Sequence, residues 1–430
     1  MRMRQGEEIY SWIQDLYPIN RSLSGEGNLK TLGYLQKISP EIQTKTFRSG
    51  STAFDWLLPD EWNVVEAFIE LPDGSRIAEF SKNNLHLVGY STPLDKIVTK
   101  SELLQHLHYV EDQPTAVPYV TSYYKKNWGF CIAKRDLENL GVGPFRVFIN
   151  SSFRNQEEGG SICFGEAELI GESSQEILFS TYICHPSMAN NESTGPTIAT
   201  AVIKHLSKIK RHYTYRFLFL PETVGTIAYL ARHLKELKEN LIAGWVLTCL
   251  GDKGNFSYIP SRYGNNYADK LTKQVLGSEL INYKTYHWLD RGSDERQYCA
   301  PGVDLPICSI TRNKYGTYPE YHTSLDNLDF IDSSSLEESF ELIMKFINEI
   351  ESTRTPKTRI LCEPQFGKRN LYPNISKIGS YDIETRSLMD VLSYMDGTLN
   401  LEEISMKSNV KMSKVLEFTE VLLKQQIITI

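Results

Sequence analysis

The sequence has no run of about 18 apolar residues, the length a helix needs to cross a bilayer, so no membrane span is expected. Its first residues, MRMRQGEEIYSW, carry two arginines but no apolar stretch behind them, so no secretory leader is expected. There is no excess of positive charge. The formal net charge is −7 and the pI about 5.8, so no global field draws in nucleic acid. Paired cysteines are missing too. The seven are scattered at 131, 163, 184, 249, 299, 308 and 362, with no C-x-x-C. That argues against a zinc ribbon and a disulfide framework and for a reducing, cytoplasmic setting. No internal repeat or long low-complexity tract is present. What remains is a 430-residue chain of ordinary globular composition, 41% hydrophobic and 23% charged, long enough for two or three domains.

Residues 1 to about 50 read as two helices, 7–17 and 27–38, joined by Pro18-Ile-Asn-Arg-Ser-Leu-Ser-Gly25. That turn reads either as a capped helix connection or as a substrate loop using Arg21. From about Thr52 the pattern becomes short alternating runs punctuated by Gly and Pro, and the Pro-Asp-Gly at 72–74 signals a hairpin. Strand-like pieces follow at 85–90, 116–120, 130–133, 144–150 and 161–170, with one helix over 95–106. These predict a β-rich domain at 54–155, inserted into a domain built from 1–53 and 156–355. Strands at 176–183, 215–220, 244–250 and 305–311 then alternate with helices at 194–209, 225–241, 266–276 and 334–351. Apolar strands joined by amphipathic helices predict an α/β domain: a mostly parallel sheet with helices on both faces. A linker-like stretch at 352–358 precedes helices at 383–395, 401–408 and 411–425 and a last strand at 426–430, the outline of a winged helix over 360–430. Residues 371–430 hold six Lys/Arg against eight Asp/Glu, which favours a packing or protein-contact role over DNA binding.

The chemistry gathers at strand ends. Cys184-His-Pro-Ser-Met-Ala-Asn-Asn-Glu-Ser-Thr-Gly195 lies between a buried strand and a helix and offers His185. Leu220-Pro-Glu-Thr-Val-Gly225 offers Glu222, Cys249-Leu-Gly-Asp-Lys-Gly254 offers Asp252, and Tyr318-Pro-Glu-Tyr-His-Thr-Ser-Leu-Asp326 offers His322. Ligands collect outside the carboxyl ends of parallel strands, and these residue types suit a metal such as zinc. Each residue alone also reads as a cap, a turn residue or a buried structural histidine.

In this order, the motifs CHPSMANNESTG, PETVG, RGSDERQYCAPGVDLP and EYHTSLDNLDF resemble the zinc-dependent aminopeptidases with two adjacent metals. They are most similar to a bacterial aminopeptidase-like branch that carries a β-rich insertion and a C-terminal winged helix and is often linked to polysaccharide gene clusters. The resemblance implies metal-binding roles for His185, Asn191, Asp252 and His322, a general base at Glu222, and a place near the site for Asp294; the loops 290–298 and 315–321 are expected to hold the substrate, with contacts at Asp294, Arg296 and Tyr321. The sequence departs from that family at two places. Asn191 stands at the bridging aspartate and Thr223 at the second ligand glutamate. A neutral amide bridges two mutually repelling cations poorly, so the expected cofactor is one zinc ion rather than two.

Two readings follow. One is a metal-dependent aminopeptidase-like hydrolase that cleaves an amide or peptide bond, with Glu222 moving the proton. Its substrate is a peptide or amide-containing small molecule, which Arg291, Arg296, Arg312 and Lys314 suggest is anionic. The other is a non-catalytic aminopeptidase-like binding or scaffold protein, which Asn191 and Thr223 favour. Neither reading calls for nucleic acid or a membrane, and homo-oligomerisation stays open.

Overall fold

The computed structural model describes residues 4–278, 282–353, 355–369, 371 and 383–430. The main sheet has eight strands: β1 (Gln43–Arg48), β2 (Ser161–Leu169), β3 (Glu176–Tyr182), β4 (Thr214–Leu220), β5 (Leu241–Leu247), β6 (Ser257–Ile259), β7 (Lys284–Thr285) and β8 (Ile307–Thr311). Their spatial order is β1-β2-β4-β3-β5-β8-β6-β7. The central run β4-β3-β5-β8 is parallel. The strands flanking it, β2 and β6, join antiparallel.

Every residue of these four central strands is buried, as expected when both faces are covered. Alternation sorts their side chains into two cores. Ile177, Phe179, Phe217, Trp245 and Ile310 face one side. There they meet helices α1 (Gln5–Leu16), α3 (Thr194–Leu206), α5 (Tyr267–Ser278) and α6 (Ser333–Ser352). Leu178, Leu218, Val246 and Ile307 face the other side. That side is closed by α4 (Val224–Asn240) and by a second, four-stranded antiparallel sheet within residues 61–154. Helix α2 (Glu26–Ile38) packs over β1 and β2.

Three local expectations give way. The single helix expected over 95–106 is a strand, Leu94–Val98, followed by a short helix, Lys100–Leu104. The strand pairs antiparallel with Phe145–Ile149, and the Thr99 hydroxyl accepts from the Glu102 N–H to start the helix afresh. The stretches 85–90 and 116–120 are not strands: Asn84–His86 is a 3-10 turn, and 116–120 makes only an isolated bridge, Pro118 to Thr323. The expected linker at 352–358 is packed rather than loose. Thr355 is buried and donates its N–H to the Tyr213 hydroxyl, and Lys357–Thr358 pairs with Ile428–Thr429. Helices Ile383–Ser393, Leu401–Ser408 and Met412–Lys424 close a separate small core around Val391, Ile404, Val415 and Leu422.

Candidate active site

The carboxyl ends of β4, β3, β5 and β8 point the same way, and the segments leaving them carry Glu222, His185, Asp252 and His322. The turn after β3 is closed by one π-helical turn, Ala189–Ser193, that runs straight into α3. Such wide turns are uncommon and concentrate at functional sites. This one buries Asn190, Asn191, Glu192 and Ser193 together. Gly195 lets α3 seat against the sheet, since a Cβ there would lie 2.3 Å from the Leu247 carbonyl oxygen. Asp326 ties the distant His322 loop to the turn, accepting from the N–H groups of Asn190 (2.6 Å) and Asn191 (2.9 Å).

His185 is held from behind. Its Nδ1 lies 2.7 Å from Glu192 Oε2. Arg21, 2% exposed, lies beside that pair, with Nε 3.8 Å from Glu192 Oε1. The same guanidinium donates to the carbonyls of His185 (3.1 Å) and Leu16 (2.8 Å) and to Ser193 Oγ (3.2 Å). Burial, and then the Arg21 charge, push the imidazole down to about 3, so it is neutral at physiological pH. Burial raises the Glu192 carboxyl and Arg21 opposes the rise. In its ionised form, which the guanidinium alongside favours, Glu192 accepts from Nδ1–H and leaves Nε2 its lone pair, the outer arrangement that orients metal-binding histidines. Arg21 is therefore a buried brace, and through the Leu16 carbonyl it also ties down the last turn of α1.

On the other side of His185 stands Glu222, with Oε2 3.7 Å from His185 Nε2 and about a fifth of its side chain exposed. Burial, and then the neighbouring Asp294 carboxylate, raise Glu222; burial raises Asp294 as well. The next residue, Thr223, has φ +64° and ψ −68°, and the Val224 N–H returns to the Glu222 carbonyl at 2.7 Å. This is a strained γ-turn, unusual for a β-branched residue. Asp294 accepts from its N–H (2.7 Å) and Arg296 donates to its Oγ1 (2.5 Å). Asp294, expected at the substrate, is thus fully buried and grips the backbone behind Glu222. Arg296 keeps a buried Nε–H without a partner.

His322 lies across from His185, ring centroids 5.1 Å apart. It stacks on Tyr321 at 3.9 Å, and its buried Nε2 has no partner. Burial, and then His185, lower its pKa well below the usual range. Tyr321, half-buried, is raised by burial and then by the Glu222 carboxylate. The roof comes from the second sheet's side. Tyr119 sets its ring 5.1 Å from His185 and 5.2 Å from His322. Its segment is sewn down by Tyr119 N–H to His322 O (2.8 Å) and Ser324 N–H to Val117 O (2.8 Å).

The expected metal set is only partly assembled. Asp252 does not join it: its carboxylate accepts from Asn190 Nδ2 (2.8 Å), Asn313 Nδ2 (2.8 Å) and Gly254 N–H (2.6 Å). It therefore fastens the π-turn to the end of β5. Asn191 donates Nδ2–H to the Tyr182 hydroxyl at 2.9 Å and leaves a buried Oδ1 without a partner. Among the described residues, the one His/Cys/Asp/Glu group whose ligand atoms all lie within 4.8 Å is Cys184, His185 and Glu192. That group is not a metal cage. The His185–Glu192 contact is already closed, the Cys184 thiol is raised by burial and so stays protonated, and Arg21 adds a positive charge. The donors still open are His185 Nε2, His322 Nε2 and Asn191 Oδ1. They are of the types that hold a divalent ion, and none of them is a carboxylate. Of the other cations expected at the site, Arg312 is spent on Glu338 and the Gly254 carbonyl, and Lys314 on the Tyr315 carbonyl. Arg291 is exposed and lies over Trp288.

Tyr119 and Asp326 are the residues that sequence reasoning left outside the site. Asp326 falls inside a motif already singled out, but Tyr119 had no signal of its own.

Comparison with known proteins agrees with this architecture. Residues 10–353 match the family described as a domain of unknown function, DUF4910, and residues 354–430 match a winged helix-turn-helix family. A Clostridium acetobutylicum protein, named for polysaccharide biosynthesis and an aminopeptidase-like domain, is 39% identical over 418 residues, 95% of this chain and 93% of its own. A crystal structure from the same organism, named as a peptidase, is 36% identical, with TM-score 0.79 over 99% of this chain and 96% of that one. A Bacillus subtilis zinc aminopeptidase shares the fold, with TM-score 0.58 at 13% identity over 80% of this chain and 94% of that one. The chain belongs to the DUF4910 family, whose aminopeptidase-like α/β fold it joins to a C-terminal winged helix.

Proposed function

We propose that the chain hydrolyses an amide or peptide bond in a peptide or amide-containing small molecule, with Glu222 as general base and then general acid. The observation that carries this is the placement of Glu222. A carboxyl raised toward neutrality, still partly open to solvent, faces a neutral imidazole whose outer nitrogen is pinned and whose inner nitrogen is free. A base works best with its pKa near the operating pH. Glu222 takes a proton from the attacking water and hands it to the leaving amine. Arg296, with its unpartnered Nε–H, donates toward the carbonyl oxygen, and Tyr119 and Tyr321 screen the site from bulk water. His185, His322 and Asn191 are the residues that would hold a single zinc ion, which when bound would supply Lewis acidity toward the carbonyl and lower the pKa of water. The name of the Clostridium acetobutylicum relative supports an amide-bearing intermediate of polysaccharide synthesis as substrate.

A second reading has its own observation. Asn191 and Thr223 stand where the aminopeptidase pattern has metal-ligating carboxylates, which favours a non-catalytic binding or scaffold protein. The two separate by metal content and turnover. Elemental analysis of the purified chain should give about one zinc per chain. A panel of aminoacyl and acyl amides should include one hydrolysed by the wild type and slowed about 10²–10⁴-fold by Glu222→Gln. Two stoichiometric zinc ions would overturn the single-ion reading. No hydrolysis above the Glu222→Gln background would leave the binding reading.

A further inference from the structure

Asn191 is buried beside the two histidines, and its side-chain amide has two unlike ends. Oδ1 carries lone pairs and can meet a cation; Nδ2 carries only protons and repels one. Which end is left open is decided by a ring of hydrogen bonds behind the residue, and every proton in that ring can be traced.

The trace starts at a backbone carbonyl, which only accepts. Thr248 Oγ1 lies 2.9 Å from the Asn191 carbonyl oxygen and donates to it. A hydroxyl has one proton, so Thr248 has only lone pairs left for its other partner, the Tyr182 hydroxyl. Tyr182 therefore donates to Thr248. With that proton spent, the Tyr182 oxygen can only accept, and Asn191 Nδ2 donates to it at 2.9 Å. The second amide proton is directed at Cys249 Sγ, 3.5 Å away. Turning the amide over would set Oδ1 against an oxygen that has no proton to give. Asn191, Tyr182 and Thr248 are all buried, so water would not relieve that clash of acceptors.

Oδ1 is thereby held away from the ring, buried and without a partner. An acceptor left in that state costs free energy and calls for an occupant. The candidate site lies alongside. The Tyr182 ring is 5.4 Å from that of His185, which is 5.1 Å from that of His322. His322 Nε2 is likewise buried and unpartnered. The Asn191 backbone is fixed from the His322 loop, through its N–H to Asp326.

Resting on the single-zinc reading above, we propose that Tyr182 and Thr248 are positioning residues that select the oxygen end of Asn191, so that residue 191 meets the ion as a neutral oxygen ligand. The ring is a device an asparagine needs and an aspartate does not, since a carboxylate has an oxygen at either end.

That difference supplies the test. Zinc affinity of the full chain, measured by competition with a chromophoric chelator, requires no turnover. Tyr182→Phe removes the oxygen that receives the amide and should weaken zinc about 10–100-fold. Thr248→Val frees the Tyr182 proton to capture Oδ1 and should also weaken it, at least about tenfold. The same two changes are then made in a chain carrying Asn191→Asp, where each should weaken the tightest zinc less than about threefold. Loss of packing alone would lower affinity equally with either residue at 191. Circular dichroism checks the fold, and if Tyr182→Phe does not fold, Thr248→Val carries the same comparison. Unchanged affinity in both variants, or equal losses with Asn and with Asp at 191, overturns the proposal and leaves the zinc site standing. A wild type that binds no zinc overturns the single-ion reading and this proposal together. Absence of hydrolysis with the Tyr182 dependence of zinc binding intact overturns only the hydrolase reading.

Discussion

Replacing Glu192 by alanine removes the acceptor of His185 Nδ1 and the counter-charge of a buried arginine at once. The two side chains of the Arg21–Glu192 pair are 1% and 0% exposed, so water does not replace what is lost. At 3.8 Å and an effective dielectric of about 20, the attraction alone is about 4 kcal/mol. Stranding one member of a buried pair costs about 3–5 kcal/mol, a large part of an ordinary total stability of about 5–15 kcal/mol. Urea unfolding of Glu192→Ala should therefore show a loss near the upper end of what single substitutions do. Glu192→Gln keeps the shape and an acceptor for Nδ1–H but not the charge, and should lose about half as much. Arg21→Met combined with Glu192→Ala should cost clearly less than the sum of the two single changes, since neither partner is then stranded. A second readout separates bracing from mere folding: zinc affinity, measured by competition with a chelator, should fall about 10–100-fold in Glu192→Gln. A loss below about 1 kcal/mol in Glu192→Ala, or additivity in the double variant, would refute the reasoning.

Three further outcomes follow from the structure. Gly195→Ala forces a Cβ against the Leu247 carbonyl oxygen and Thr181 Oγ1; it should cost about 1–3 kcal/mol in denaturant unfolding, and a neutral result would mean α3 has room to shift. At position 223, Thr223→Val keeps the β-branched strain and loses the Arg296 contact, whereas Thr223→Gly relieves the positive φ; the valine variant should be the less stable of the two by about 1 kcal/mol in thermal unfolding. Glu166 is buried, which would raise it, but Lys45, Tyr229 and Arg216 outweigh burial and hold it below the ordinary value of 4.5. Its stabilisation is therefore complete above pH 4.5 and lost as the pH falls through the lower folded value, so Glu166→Gln should cost about 1.5–3 kcal/mol at neutral pH and give a shallower stability loss on acid titration.

Much of the architecture was legible because it rests on local pattern. The apolar runs at 176–183, 215–220, 244–250 and 305–311 needed burial on both faces, and only a sheet between layers provides that. The 95–106 stretch misled because its apolar spacing suits a helix, while the pairing that makes 94–98 a strand comes from residues 145–149, far along the chain. The metal set misled at Asp252 for a related reason. Its residue type and strand-end position were right for a ligand, but whether a carboxylate faces the ion or an asparagine depends on side-chain direction, which Asn190, Gly254 and Asn313 settle only in the folded chain.

The sequence alone thus determined which chemical groups stand at the strand ends, because strand and helix periodicity are written in neighbouring residues. It also showed that positions 191 and 223 hold an asparagine and a threonine, a matter of identity rather than geometry. Only the tertiary structure decided how those groups are used. Arg21 reaches His185 and Glu192 from 164 and 171 positions away, Tyr119 arrives over the two histidines from an irregular segment, and Asp294 takes hold of the Thr223 backbone. Each of these contacts spans a sequence separation over which no local pattern carries information, and burial then shifts the charges they hold.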